Sequence, residues 1–598
     1  MTITLPSRRR LAAIAAACLL SVALPAVPAM AQKTKTKTPA TTEAQVSTTD
    51  LSVDIPGIDS VGSNLEDGVL RDIFSGNVAG NAEALAGLTA TSISIPAINL
   101  IATITKGDDV RETKVTFNDV VLDDVTDGIA GSISLAGITV DAGDLGGADI
   151  GAMSANNFDI GGVLGLYGLV GPGTATELKT IYTDFTFEGG NIETPEVACT
   201  VGAASLDELK ARPLGYSYAE LLALGESLEG SGDPSPEEMG KIARVYANFL
   251  TAFESTPVTF DGFDCDGVDD EGRALTISVA GMTTTGMSPG IYPGLTVEGL
   301  DVTVEGDGNF SVGSFSFKPM DVSGPIAVIN AAPESIDAAW FEDNARALFP
   351  AFEGFSMEAL AIDVPDPSSE DERIVVNVGA FDLSLGAYRN GIPTDLKSSA
   401  SNIIVDLPKD SGDVAFAQLA ALGVTSIDAG FNFSSNWDEA SNSILINDAS
   451  ISGVDLGSLA VSGSIINATE ALFSLDENES LMAAMGLAIR TIKADAVDAG
   501  LSDLILSIAA KDQKTKPETL RPIIAGFAEG TVIGYLAGVA EAQKVGGAIS
   551  AFLGGKAKSL SIALTAKDAA GLSLQDFMAA EEDPSLLLGK VTIDASAK

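Results

Sequence analysis

The chain has 598 residues, 82 acidic against 34 basic and no histidine, for a formal charge of −48 at neutral pH. Such a surface repels nucleic acid and anionic headgroups and attracts cations or basic partners. The missing imidazole excludes Ser-His-Asp and Cys-His catalysis and every histidine-ligated metal site. Hydrophobic residues at 46% and a mean hydropathy of +0.27 exclude a disordered polyelectrolyte.

Residues 1–31 carry Arg8, Arg9 and Arg10, an apolar run from Leu11 to Val27, and a small-residue exit at Ala29-Met30-Ala31. This is the layout of a cleaved export signal. The expected mature protein starts near Gln32 and works in the periplasm, the outer envelope or outside the cell. Residues 7–11 also fit a twin-arginine pattern, so both export routes stay open. Residues 32–50, rich in Thr, Lys and Ala, are expected to form a flexible linker.

From Leu51 the texture changes to short alternating runs punctuated by Gly, Asp, Asn and Pro, predicting a β-rich domain over 51–204. Within it, Gly162, Gly165, Gly168 and Gly171 lie three apart in an apolar run, which suits a buried or membrane-facing loop and lacks a P-loop arrangement. A helical insertion is expected over 205–256. Its clearest mark is Ser235-Pro236-Glu237-Glu238, a capping serine, a first-position proline and a glutamate three after the cap. Outside the signal the cysteines are Cys199 and Cys265, predicted to form a disulfide that pinches this insertion. Closing a loop of about 66 residues contributes roughly 4 kcal/mol on the chain-entropy estimate.

Residues 257–466 are expected to continue as hairpin repeats, with a helix near 335–349. Apolar strand, polar turn and apolar strand recur at 115–135, 258–279, 354–378 and 428–446, which predicts repeated hairpins on one long sheet. The densest acidic cluster is Asp261, Asp264, Asp266, Asp269, Asp270 and Glu271. Aligned on Gly267, an EF-type loop would need ligands at Gly262 and Arg273, so that motif fails. An irregular calcium site and a solvated acidic turn are the two readings left. Gly286-Met287-Ser288-Pro289-Gly290 has hydrolase spacing, but there is no histidine base and Pro289 has no N–H for an oxyanion. It is expected to be a β-turn.

Residues 467–598 are expected to form a helical and β C-terminal module. Helices are predicted over 481–490, 501–511, 517–543 and 545–553, and strands over 560–564 and 590–593. Gly526, Gly530, Gly534 and Gly538 fall four apart on one helical stripe in a segment whose sole charge is Glu529. Glycine costs a helix about 1 kcal/mol relative to alanine. The stripe is therefore expected to pack closely on its own module, the other reading being a membrane-inserting or self-associating helix.

Asp498-Ala499-Gly500-Leu501, Glu518-Thr519-Leu520-Arg521, Ala551-Phe552-Leu553 and the strands at 559–565 and 586–593 resemble the C-terminal module of exported, uncharacterised Gram-negative envelope proteins. That resemblance implies no catalytic residues. The β-rich remainder resembles long-sheet envelope proteins of the AsmA type, which implies lipid handling, although their permanent N-terminal membrane helix is missing here.

The expected fold is β-dominated α+β: a long curved antiparallel meander sheet of repeated hairpins with helical insertions and an α/β C-terminal module. The expected function is non-enzymatic, a binding or scaffold role in the envelope with a hydrophobic or lipid ligand on the curved sheet and an envelope protein as a further partner. No cofactor is expected unless it is calcium. A calcium-dependent surface or adhesive protein is the second reading. A carboxylate-based glycan hydrolase, needing two carboxylates about 5–10 Å apart, is the third.

Overall fold

Period-two alternation of Val, Ile, Leu and Phe with Ser, Thr and Asp builds strands with one apolar and one polar face. The computed structural model of the protein describes residues 47–106, 109–166, 176–216, 220, 224, 234–366, 372–407, 414–582 and 584–598. The export signal and most of the linker lie outside them. With 48% strand and 26% helix, the fold is β-dominated; among the described residues 28 strands pair antiparallel in one continuous sheet, and the short strands Ile291–Tyr292, Met320–Asp321 and Ala351–Phe352 form a second.

That sheet starts where Ser47–Asp54 pairs with Ala90–Lys106, which forms a long hairpin with Asp109–Val125. Residues 47–50 are thus strand rather than linker. The next rungs are each broken into two halves, for example Ala204–Ala211 with Val197–Val201 and Val258–Phe260 with Phe263–Val268. The halves rejoin on Ala274–Thr284, which pairs with both members of the second pair. From there a meander runs through Leu295–Val304, Gly308–Phe317, Gly354–Pro365, Arg373–Gly386, Asp395–Asp406, Ser426–Asp438, Ser443–Gly453, Gly457–Ile466, Ala488–Asp498, Ser559–Ala566 and Val591–Ala597. At about 4.8 Å per strand this stretch alone extends roughly 50 Å.

Several expected helices are shorter or absent, for local reasons. Residues 205–211 belong to a strand, because Leu206, and after a one-residue slip Leu209 and Ala211, reach one buried face beside Ile181. The capping box at Ser235 forms as expected, with Glu238 N–H donating to Ser235 Oγ at 3.3 Å and opening the helix Pro236–Phe249. The helix near 335–349 shrinks to Ala338–Asp343, and an unforeseen one covers Ser323–Ala331. The helix expected over 481–490 is Glu477–Met485 and stops at Gly486. Alternation of Ile492, Ala494 and Ala496 with Thr491, Lys493 and Asp495 makes Ala488–Asp498 a strand instead. The helices Leu501–Asp512, Pro517–Tyr535 and Ala542–Leu553 follow the expected pattern, the second ending eight residues before the predicted limit.

Two cores pack helices on the apolar face, one at each end of the sheet. At the N-terminal end, helices Asp67–Phe74, Ala82–Ala86 and Ile160–Leu166 help bury Ile93, Ile95 and Leu122 to 1% exposure or less. Each such side chain contributes about 1.5–3 kcal/mol. At the C-terminal end, Ala542–Leu553 packs Val545 among Ala566, Val591, Ile593 and Ala595. Among the described residues, no helix is long and apolar enough to cross a membrane, which says nothing of strands.

Cys199 and Cys265 form the predicted disulfide, directly opposite each other on neighbouring strands with Cα atoms 4.0 Å apart. The helical insertion leaves the sheet beyond Ala211 and returns at Phe253, on the other half of the broken rungs. The bridge therefore staples the sheet and does not pinch the insertion.

Candidate functional site

Register places the apolar residues of the meander on one face. Val376 lies between Ile362 and Val405, Val378 between Leu360 and Ile403, and Phe381 between Met357 and Ala400. Ring contacts of 6.0, 5.2 and 6.4 Å carry the row from Phe315 through Phe355 and Phe381 to Phe431, across five strands, with Ala400 on the one between Phe381 and Phe431. From Leu275 to Ile465 no charged residue alternates onto this face. Glu298, Asp301, Glu358, Asp363, Asp382 and Lys397 all fall on the other. There Lys318 bridges Asp382 at 2.6 Å and Arg373 bridges Asp363 at 2.5 Å.

The strands are kinked at mid-length, and the kinks line up. Gly299 stands opposite Ala280 and Gly313, Gly313 opposite Ala359, Ala359 opposite Gly379, and Gly379 opposite Asn402; each pair drops out of an otherwise continuous ladder. Gly299, Ala359 and Asn402 have φ of +60°, +52° and +52°. In the broken rungs Gly262 takes this place, with φ +76° and room for no side chain: a Cβ would lie 1.8 Å from the Val279 carbonyl oxygen. Kinks of this kind bend a strand, so a line of them creases the sheet along its length.

Alternation slips by one residue at the crease, which keeps the same face apolar on both sides of it. The N-terminal core shows the slip directly, gathering Ile93 and Ile95 with Ile98, and Phe117 with Val120 and Leu122, across the opposed pair Pro96 and Asp119. The signal was present in the sequence. In residues 295–304 the apolar positions are 295, 297, 300, 302 and 304, with Glu298-Gly299 at the slip. Simple alternation passes over it.

Among the described residues, most of this face carries no helical layer. Between Gly281 and Gly486, the hydrophobic strand residues that reach full burial among the described residues are Val312 and Ala400. Phe317, Ile451 and Leu459 stay 46%, 62% and 43% exposed.

Toward the C-terminus the face passes under a roof. A cavity of about 430 Å³ lies between the sheet residues Ile489, Ile492, Ile562 and Leu564 and the helical residues Val532, Tyr535, Phe577 and Leu587. Its one charged lining residue, Arg490, donates to the carbonyls of Ala566 and Asp568 at 2.9 and 2.6 Å. Asp498 roots the roof, accepting the Gly500 and Ser502 N–H groups at 3.2 and 3.1 Å and the Ser502 hydroxyl at the start of Leu501–Asp512. Burial alone would raise its carboxyl. The Ser502 and Gly500 hydrogen bonds, with the Lys558 charge, outweigh that and hold it below the usual carboxylate range.

The acidic cluster is not gathered. Asp264 and Asp266 alternate onto the exposed polar face of Phe263–Val268, while Asp269 is taken by Arg273 at 2.7 Å and by the backbone N–H groups of Glu271 and Arg273. Arg273 also pairs with Glu271 and Asp307, so one guanidinium is shared by three carboxylates and offsets part of the turn's charge. Among the described residues no group of three potential ligands is placed to hold a metal ion. The residues 286–290 make the expected turn, with the Ile291 N–H donating to the Ser288 carbonyl at 2.9 Å.

Close intramolecular packing of the glycine stripe is overturned. A Cβ added at Gly526, Gly530, Gly534 or Gly538 would meet nothing within 4 Å. The face of Pro517–Tyr535 that packs inward instead carries Leu520 and Ala525, and the stripe looks outward. Of the earlier series, Gly162 and Gly165 sit in the helix Ile160–Leu166, and Gly168 and Gly171 lie outside the described residues.

A family model described only as an uncharacterized protein matches residues 450–598, about a quarter of the chain. The match takes in the last strands of the meander, the roof and the cavity. No curated protein and no solved structure matches the chain.

Proposed function

We propose that this is an exported, non-enzymatic envelope protein of binding or scaffold type that holds a lipid or other apolar ligand along the creased face and under its C-terminal roof. One observation carries the reading: an apolar face, free of charged residues from Leu275 to Ile465 and, among the described residues, largely uncovered between its two roofed ends. Contiguous exposed apolar surface of more than a few hundred Å² marks an interaction site. Each methylene of a chain laid on that face gains about 0.8 kcal/mol from leaving water. The acidic residues on the opposite face keep the loaded protein soluble. The segment 1–31 supports export.

Native mass spectrometry of protein purified from its own envelope fraction, followed by extraction of bound mass, tests this. A discrete lipid-sized adduct, reduced in Val376→Asp and Phe381→Asp, is expected. A bare polypeptide, or one carrying only calcium, overturns it.

A further inference from the structure

We propose that the corner of the molecule where the helices Glu477–Met485 and Leu574–Glu582 spring from the sheet docks on the headgroup layer of a zwitterionic lipid bilayer. This rests on the lipid reading above and names where the ligand enters.

The two helices begin and end at neighbouring points, because Ala488 pairs with Ser573 and Ile489 with Leu572. The first exposes Leu481, Met482 and Met485 at 62%, 67% and 59%, and the second exposes Leu574 and Met578 at 59% and 62%. Met485 lies four and three residues from Leu481 and Met482, and Met578 four from Leu574, which keeps each set on one helical face. The same corner borders the cavity, since Leu572 and Phe577 line it. An apolar ligand reaches such a cavity without crossing water only if the bilayer abuts its mouth. Methionine is flexible and suits a fluid surface better than a fixed one.

Charge selects the kind of surface. Neither 477–485 nor 574–588 contains Lys or Arg, while Glu477, Glu479, Asp576, Glu581, Glu582 and Asp583 are present. The nearby Lys590 is paired with Asp576. Nothing at this corner recruits an anionic headgroup, so docking is hydrophobic and insensitive to salt.

The test is flotation of the purified full protein with phosphatidylcholine vesicles, at low and high salt, and with the same vesicles carrying phosphatidylglycerol. The comparison is the double variant Met482→Glu with Met578→Glu, both exposed positions whose melting temperature checks the fold. Wild type is expected to float equally at both salts and no better with phosphatidylglycerol, and the variant to lose about tenfold or more of its partitioning. Failure to float, equal flotation of the variant, or a requirement for phosphatidylglycerol overturns the proposal. So does a wild-type dimer in light scattering that the variant dissolves, which would assign the corner to a second copy. The two readings fail separately: Ile562→Asp in the cavity should lose the adduct yet still float, whereas a wild type that carries a lipid adduct but does not float overturns the docking alone.

Discussion

The N-terminal end of the sheet and the stretch from Leu295 to Ile466 are built from the same strand design, with the same slip in alternation at the crease. They differ in what lies on the apolar face. Over Ile93, Ile95 and Leu122 sit short helices, and those side chains are sealed; among the described residues no such layer lies over Val376, Phe381 and Ile451. An alternating strand specifies which face is apolar, and a separate element decides whether that face becomes a folding core or a binding surface. The C-terminal end is intermediate, with a roof that leaves a cavity beneath it.

The largest expected effect separates core from surface. Leu122→Ala should cost about 2–5 kcal/mol in denaturant unfolding, whereas Val376→Ala should cost about 1 kcal/mol or less and show its effect in ligand content. Equal costs would erase the distinction. Next, Cys199→Ser should lower stability by about 2–4 kcal/mol, since the bridge ties the broken rungs that join the two regions; an unchanged denaturation midpoint would count against that role.

Glycines sharpen the contrast between crease and roof. Gly262→Ala should cost about 1–3 kcal/mol, because its backbone is left-handed and its Cβ would strike a carbonyl. Gly530→Ala, on an open helix surface, should stabilise by up to about 1 kcal/mol. Thermal melts of the two variants decide it, and a destabilising Gly530→Ala would mean that something covers the stripe. The smallest effect concerns pH. Asp498 titrates lower in the folded chain than in the unfolded one, so its contribution is present above the ordinary Asp value near 4 and fades as pH falls below it. Asp498→Asn should flatten the fall in stability of the C-terminal roof on acidification, read by denaturant midpoints on either side of that value.

Much of the sheet was legible in the sequence, because strand alternation, the capping box at Ser235 and the cysteine pair are local signals. The roof was partly legible: helical periodicity gives Leu501–Asp512 and Pro517–Tyr535 but not which side of the glycine stripe packs. The stripe pattern is the same whether a backbone approaches it or nothing does. The crease was written in the chain as paired residues such as Glu298-Gly299 and Glu358-Ala359, yet its meaning appears only when neighbouring strands bring those pairs into line. The acidic cluster is the opposite case: residues close in sequence are divided between the exposed strand face of Asp264 and Asp266 and the turn where Arg273 holds Asp269.

The most direct measurement is site-specific photo-crosslinking in growing cells, with a benzophenone side chain placed at Val376 on the apolar face or at Asn377 on the polar face of the same strand. A lipid adduct is expected at Val376 and none at Asn377. No lipid adduct at either position, or equal labelling of both, would contradict it.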